Sequence, residues 1–346
     1  MKQNNRLMIV YTILHFFVDF TTIFLICGIL LGPSVGVVNR GLVIVTYNIV
    51  AFAGQLPLGI IADYINKNRQ MTAFGCILAC ISYPLAFYFP WVACVVASVG
   101  NGAFHIGAGA DVLKFTMPKA GMSGLFVSTG ALGVWLAYKV SGAFVTILCP
   151  VLMIIFSVVL LTMKDGVSKN DDIKTELYQS RGILILAVIC FMLTIVIRSF
   201  LGMIMNFDWK SVPILSLLFV VSVMGGKALG GFLGDRFGYV KTAVVSLVIS
   251  LVAFAFSFDL WFAGIVAVLC FNMTMPLTLT AIAGVCNKKY GSAFGLTTFA
   301  LAVGFMPVVF GTSGFFGLPL LTVMVAASLL FMVAGYVLLK IKKGAR

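Results

Sequence analysis

A chain of 346 residues, 62% hydrophobic and only 10% charged, with a mean hydropathy of +1.14, carries more apolar surface than a water-soluble fold can hide, because soluble domains hold roughly a quarter charged residues. The same figures exclude a disordered chain, which needs low hydrophobicity. Long unbroken apolar runs exclude a transmembrane barrel, whose strands alternate over about ten residues.

A membrane-spanning helix needs about 20 apolar residues. Twelve such segments are predicted in chain order: 7–31, 41–61, 71–89, 91–112, 122–140, 142–162, 182–205, 213–233, 242–258, 260–282, 292–312 and 318–340. The first follows Met-Lys-Gln-Asn-Asn-Arg without a small-residue cleavage site, so it reads as a retained helix. Little chain is left for loops, and no sizeable extramembrane domain is expected. The eight cysteines fall in or beside apolar segments and form no Cys-x-x-Cys pair, so they read as packing residues and not as metal or redox ligands.

The formal charge of +13 raises nucleic acid as a partner. The basic residues, however, stand at the ends of apolar runs and not on one soluble face, so none is expected. With the N-terminus inside, 18 of the 23 Lys and Arg fall in inner segments, while Arg40, Lys139 and Lys210 fall in outer ones. Arg198 and Lys227 lie within spans. This bias predicts a multi-pass plasma-membrane protein with both termini cytoplasmic. One polar segment, 163–181, interrupts the apolar pattern near mid-chain. The expected organisation is all-α, with an N-terminal six-helix bundle over 1–162, a cytoplasmic linker over 163–181 and a C-terminal six-helix bundle over 182–346.

The two halves repeat. Gly59-Ile-Ile-Ala-Asp63 follows the second span and Gly231-Phe-Leu-Gly-Asp235-Arg236-Phe-Gly238 the eighth, with Asp63 and Asp235 172 residues apart. Asn101 and Asn272 stand 171 apart, as do Gly124 and Gly295, and Gly133 and Gly304. A common direct offset over three helix pairs indicates parallel repeats about an axis along the membrane normal. In each loop the glycine allows close helix approach. Asp235 and Arg236 can pair with one another or with a neighbouring helix end, as a latch would.

Gly-x-x-x-Asp-Arg-x-Gly at 231–238 resembles the signature loop of the major facilitator superfamily. Residues 59–69 resemble it with Tyr64 in place of the usual Arg and Asn66 in place of the usual Gly. Gly100-Asn-Gly-Ala-Phe-His105, with His15 and Asp19, is similar to the fosmidomycin-resistance-like efflux branch, except that Ile106 follows where that branch tends to have Pro. The resemblance implies two six-helix bundles around a central substrate cavity, and transport by alternating access.

Ionisable groups at membrane depth are costly and default to functional candidates. His15 and Asp19 share a face of the first span, extended by Tyr11 and Thr22. With His105 they are the candidates for proton coupling. Asn48, Gln55, Asn101, Arg198 and Asn272 are candidates to line a substrate cavity. Arg198 has an anionic group as its natural partner if it faces that cavity, and snorkelling outward as the alternative. Asp111 and Lys114 are expected to form an i,i+3 pair. Gly59, Asp63, Gly231, Asp235, Arg236 and Gly238 are the gating candidates. No Gly-x-x-x-x-Gly-Lys-[Ser/Thr] loop occurs, so an ion or substrate gradient must supply the energy.

The expected function is non-enzymatic: proton-coupled efflux of a small polar or drug-like molecule. Proton-coupled uptake of a small organic anion, or a non-transporting receptor or scramblase, are the alternatives. Protons, one small solute and the bilayer are the expected partners, with no cofactor, no metal and a monomeric state.

Overall fold

The computed structural model describes residues 2–37, 39–164, 166, 179–310 and 317–340. Among them every regular element is helical, as it must be where no water can satisfy backbone N–H and C=O groups. Ten helices are long and apolar enough to cross a membrane, and two shorter apolar helices, Gly121–Ala137 and Tyr239–Phe254, accompany them. The chain is therefore all-helical and multi-pass. Most of the expected linker (165 and 167–178), residues 311–316 around the expected 11/12 boundary, and the tail 341–346 lie outside the described residues.

The helices follow the predicted segments, with differences where the backbone changes its winding. The first segment is α1 (Lys2–Ile23) continued by a π-helical stretch, Phe24–Leu30. The second is α2 (Arg40–Asn48), a π-helical stretch Ile49–Ala53, and α3 (Gln55–Ile65). Then come α4 (Asn68–Tyr88), α5 (Pro90–Thr116), α6 (Gly121–Ala137), α7 (Ala143–Thr162), α8 (Arg181–Ile204), α9 (Pro213–Phe237) and α10 (Tyr239–Phe254). The segment expected as one span over 260–282 is two helices, α11 (Trp261–Asn272) and α12 (Thr274–Val285). They break three residues before Pro276, which has no N–H to give to the carbonyl of Asn272. α13 (Tyr290–Val309) and α14 (Leu318–Lys340) complete the chain.

Local sequence explains the ends. Pro90 and Pro213 open α5 and α9, where a missing N–H costs nothing. Asn39 caps α2 by accepting from the Leu42 N–H at 3.0 Å. α3 and α9 both end at a positive φ, Asn66 at 52° and Gly238 at 92°. These positions correspond in the repeat, and Asn and Gly are the residues that tolerate this conformation. The guanidinium of Arg69 donates to the carbonyls of Leu160, Leu161 and Met163, placing a positive charge on the C-terminal end of α7.

The chain divides into two compact units, Met1–Phe115 with Phe126–Lys169 and Lys289–Phe299, and Thr116–Leu125 with Asn170–Lys288 and Ala300–Arg346. The division passes through α6 and α13, so each unit takes the opening turns of a helix whose remainder belongs to the other. In the first unit a buried apolar cluster of Phe20, Phe24, Leu25, Tyr47 and Ala97 fills one end. α4 and α5 cross closely where Gly75 and Gly100 each press on the other's helix backbone. α6 lies equally close on α1 through Gly130 and Gly133. Small residues give the contact that replaces hydrophobic drive in a bilayer. These two crossings hold α4 against α5 and α6 against α1.

Candidate functional site

His15 and Asp19, one turn apart on α1, and His105 on α5 converge in the first unit, where both imidazoles are buried. The His15 Nε2 lies 3.3 Å from Asp19 Oδ2, and the His105 Nε2 lies 3.5 Å from Asp19 Oδ1. The two Nε2 atoms are 2.9 Å apart. All three expected proton-coupling residues thus come together, although 90 residues of sequence separate the two histidines.

Backbone carbonyls decide the protonation of the rings. His15 Nδ1 lies 2.6 Å from the Phe126 carbonyl, and His105 Nδ1 lies 2.8 Å from the Asn101 carbonyl. A carbonyl only accepts, so each Nδ1 carries a hydrogen, and a neutral ring then leaves its Nε2 as an acceptor. Two Nε2 acceptors at hydrogen-bond distance, with a carboxylate beside them, hold together only around a cation. The three ligand atoms lie within 4.8 Å of one another, close enough for one small cation to serve all three. A single proton between the imidazoles makes the group imidazolium, imidazole and carboxylate, with zero net charge.

Further groups fix the carboxylate. Asn101 donates from Nδ2 to Asp19 Oδ1 and to Thr22 Oγ1, both at 3.1 Å. Thr22 gives its own hydrogen to the Val18 carbonyl at 2.8 Å, so the Tyr47 hydroxyl, 3.0 Å away, donates to it. Phe104 and Phe126 wall the cluster, their ring centroids 6.1 and 4.8 Å from that of His15. Gly130 of α6 closes the remaining side. A Cβ there would collide with Asp19 Oδ2 and His15 Nε2.

Tyr11, expected to extend the His15–Asp19 stripe, instead donates to Asp111 Oδ2 at 2.8 Å. Asn68 donates to Asp111 Oδ1 at 2.9 Å. Asp111 is thus buried between α1 and α4, bonded to residues that the sequence does not link to it. Of the expected cavity residues, Asn101 belongs to the His15–Asp19–His105 network. Asn48 and Gln55 donate their amide hydrogens to carbonyls of their own segment, Ile44 at 2.9 Å and Ala51 at 2.6 Å. Asn272 likewise donates to Val268 at 2.9 Å. Arg198 is buried in the second unit.

The gating candidates form two equivalent arrangements. In the first unit Asp63, at the end of α3, accepts from the Gly291 N–H at 2.7 Å and from the N–H and hydroxyl of Ser292 at 2.8 and 2.6 Å. Those groups open α13. In the second unit Asp235, near the end of α9, accepts from the Ala120 and Gly121 N–H groups at 2.8 and 2.9 Å, which open α6, and from the Tyr239 hydroxyl at 2.9 Å. Each carboxylate therefore satisfies orphan N–H donors at the positive end of a helix from the opposite half of the sequence. Gly59 packs on the backbone of Gly291, and Gly231 on that of Ala120. Of the two partners expected for Asp235, the helix terminus is the one engaged, while Arg236 lies over the Phe237 ring, 5.3 Å from its centroid. The partners Gly291, Ser292, Ala120 and Gly121 could not be read from the sequence, since, apart from the Ser292 hydroxyl, their donors are main-chain N–H groups with no residue-type signature.

No protein-family model and no curated protein sequence matches the chain. Among solved structures it resembles the fucose:proton symporter FucP of E. coli, 12% identical over 99% of this chain and 100% of that one, with a TM-score of 0.68. A second structure of FucP, titled as a major facilitator superfamily transporter in the outward conformation, is 12% identical over 98% and 99%, with a TM-score of 0.67. The human organic anion transporter MFSD10 is 13% identical over 97% and 99%, with a TM-score of 0.68. The chain therefore has the fold found in major facilitator superfamily transporters.

Proposed function

We propose that this protein is a secondary active transporter of the major facilitator type, with twelve membrane-crossing helices in two six-helix halves, 1–162 and 182–346, joined by 163–181. It works by alternating access and couples proton movement to the passage of a small polar or drug-like solute, in the direction of efflux. The observation that carries this reading is the His15–His105–Asp19 cluster, whose carbonyl-held imidazoles need one cation between them. The proton binds there in one conformation and leaves in the other, because separating the two rings removes the site. Asn48, Gln55, Asn101, Arg198 and Asn272 serve the solute.

Asp63 and Asp235, with Gly59, Gly231, Arg236 and Gly238, serve as paired latches. Breaking either cap exposes the orphan N–H donors that open α13 or α6, so the caps favour one conformation over the other. The protein acts as a monomer in the plasma membrane, with both termini cytoplasmic, in keeping with the distribution of Lys and Arg.

The test is counterflow and gradient-driven flux in liposomes carrying the purified protein, with a panel of labelled solutes and an imposed pH gradient. Proton coupling requires that at least one carried solute accumulates against its own gradient when the pH gradient is applied. Flux of every carried solute that ignores the pH gradient overturns the coupling, and absence of any counterflow overturns transport. Direction follows from expression in sensitive cells, where resistance means export and hypersensitivity means import.

A further inference from the structure

Arg198 lies 17 residues along α8, about 25 Å from its first residue at 1.5 Å per residue. Six residues, about 9 Å, separate it from the end of the helix at Ile204. Its side chain does not run out to an interface. The residue is 7% exposed, and Nη1 points to Thr274 Oγ1 at a long 3.4 Å. Thr274 has given its own hydrogen to the Phe271 carbonyl at 2.8 Å, so its oxygen only accepts. A guanidinium has five N–H donors in a planar fork, and among the described residues this long bond is its one hydrogen bond. Among the described residues no carboxylate lies within salt-bridge distance of it. Of the six described aspartates, Asp19, Asp63, Asp111 and Asp235 are bonded as given above, and Asp208 and Asp259 are exposed outside the long helices.

A buried charge without a counter-ion is among the costliest features a membrane fold can carry. α12 brings no charge to Arg198: the Thr274 hydroxyl spends its hydrogen on the Phe271 carbonyl at the end of α11, and that of Thr278 returns to its own helix. The missing partner is therefore an acceptor that arrives from outside. A planar guanidinium best matches a carboxylate, which accepts through two parallel bonds. Thr274 stands at the first residue of α12, just past the break at Met273, and its hydroxyl oxygen fixes one edge of the fork while the other edge stays available.

We infer that Arg198 anchors the carboxylate of the transported solute, so that the solute class is small organic monoanions. This rests on the transport reading above, and the test separates the two. Purified wild-type protein, Arg198→Gln and Arg198→Lys are compared by equilibrium binding and thermal shift, with lactate, benzoate and gluconate against lactamide, benzamide and glucose. At least one acid should bind and stabilise the wild type while its neutral partner does not. Arg198→Gln should weaken that acid by about tenfold or more, the scale of a lost charge-assisted pair, and Arg198→Lys, which keeps the charge but not the fork, by an intermediate factor.

Equal stabilisation by acids and neutral partners, no stabilisation by any acid, or unchanged acid binding in Arg198→Gln would overturn the assignment. If Arg198→Gln does not fold, the acid-against-neutral comparison on wild type and the Arg198→Lys series decide alone. Acid binding without counterflow in liposomes leaves the anion site standing and overturns the transport reading. Counterflow restricted to neutral solutes does the reverse.

Discussion

Asp19→Asn keeps the size of the side chain and removes its charge. At 3.3 and 3.5 Å from the two Nε2 atoms, the carboxylate attracts one positive charge on the imidazole pair by about 5 kcal/mol at an effective dielectric constant near 20. The carboxamide returns about 1 kcal/mol by hydrogen bonding to the same group. The net loss of about 4 kcal/mol corresponds to about a thousandfold fall in the affinity of the pair for its proton. The assay is the proteoliposome pair already described. Solute-for-solute counterflow moves no net proton and should survive in Asp19→Asn. Accumulation driven by a pH gradient should fall to the level of protein-free liposomes. Asp19→Glu, which restores the charge on a longer stem, should recover part of it. Gradient-driven accumulation in Asp19→Asn equal to wild type would refute the assignment of the proton to this cluster, whatever the protein transports.

Gly130→Ala places a methyl group against Asp19 Oδ2 and His15 Nε2. It should cost about 1–3 kcal/mol in denaturant unfolding and reduce coupling in the manner of Asp19→Asn, with the double variant less affected than the sum of the single ones; fully additive effects would contradict the contact. His15→Gln keeps a donor for the Phe126 carbonyl but not the paired Nε2, so gradient-driven flux should be lost while counterflow remains, as a flux assay at several pH values would show. Asp63→Asn and Asp235→Asn each remove a charged acceptor from a helix N-terminus and should weaken that end by about 1–2 kcal/mol. Hydrogen exchange should then rise by about tenfold at Gly291 and Ser292 in the first variant and at Ala120 and Gly121 in the second, each without effect on the other.

The gate was partly legible because a constant offset places Asp63 and Asp235 in equivalent loops, and a carboxylate at a helix end has few uses. Its targets were not legible. Asp63 reaches residues 228 and 229 positions away, and apart from the Ser292 hydroxyl their contribution is backbone N–H, which every residue but proline has. The proton site divides in the same way. Side chains that are costly in a membrane announce themselves, so His15, Asp19 and His105 stood out. The Phe126 carbonyl that fixes a ring tautomer has no such signature, and Gly130 looked like any other member of a glycine-rich face. Type and spacing single out Asn48 and Gln55 as a polar lining, while the bond each amide gives to a carbonyl four residues back in its own segment has no mark in the sequence. The change to π-helical winding after Ile23 and Asn48 leaves no mark in an apolar run, because periodicity over so few residues cannot separate the two windings.

The repeat itself limits how many protons can be coupled. Shifting by 171 or 172 residues carries Asp63 onto Asp235 and Asn101 onto Asn272, but it carries His15 onto Ala187, Asp19 onto Phe191 and His105 onto Pro276. Ala187 and Phe191 are buried and apolar. Pro276 and His105 act on equivalent carbonyls in opposite ways, for His105 donates to that of Asn101 while Pro276 has no N–H to offer that of Asn272. The latch is therefore duplicated and the titratable cluster is not. Because a single shared proton neutralises the one cluster, a second would leave it with a net positive charge at membrane depth, which is costly. If the cluster is the coupling site proposed above, the ratio that follows is one proton for each cycle. At zero membrane potential, with the solute's own charge held fixed, the steady-state solute ratio should change by about tenfold for each unit of imposed pH difference. A hundredfold change would require two protons, and a second site that the duplicated half does not supply.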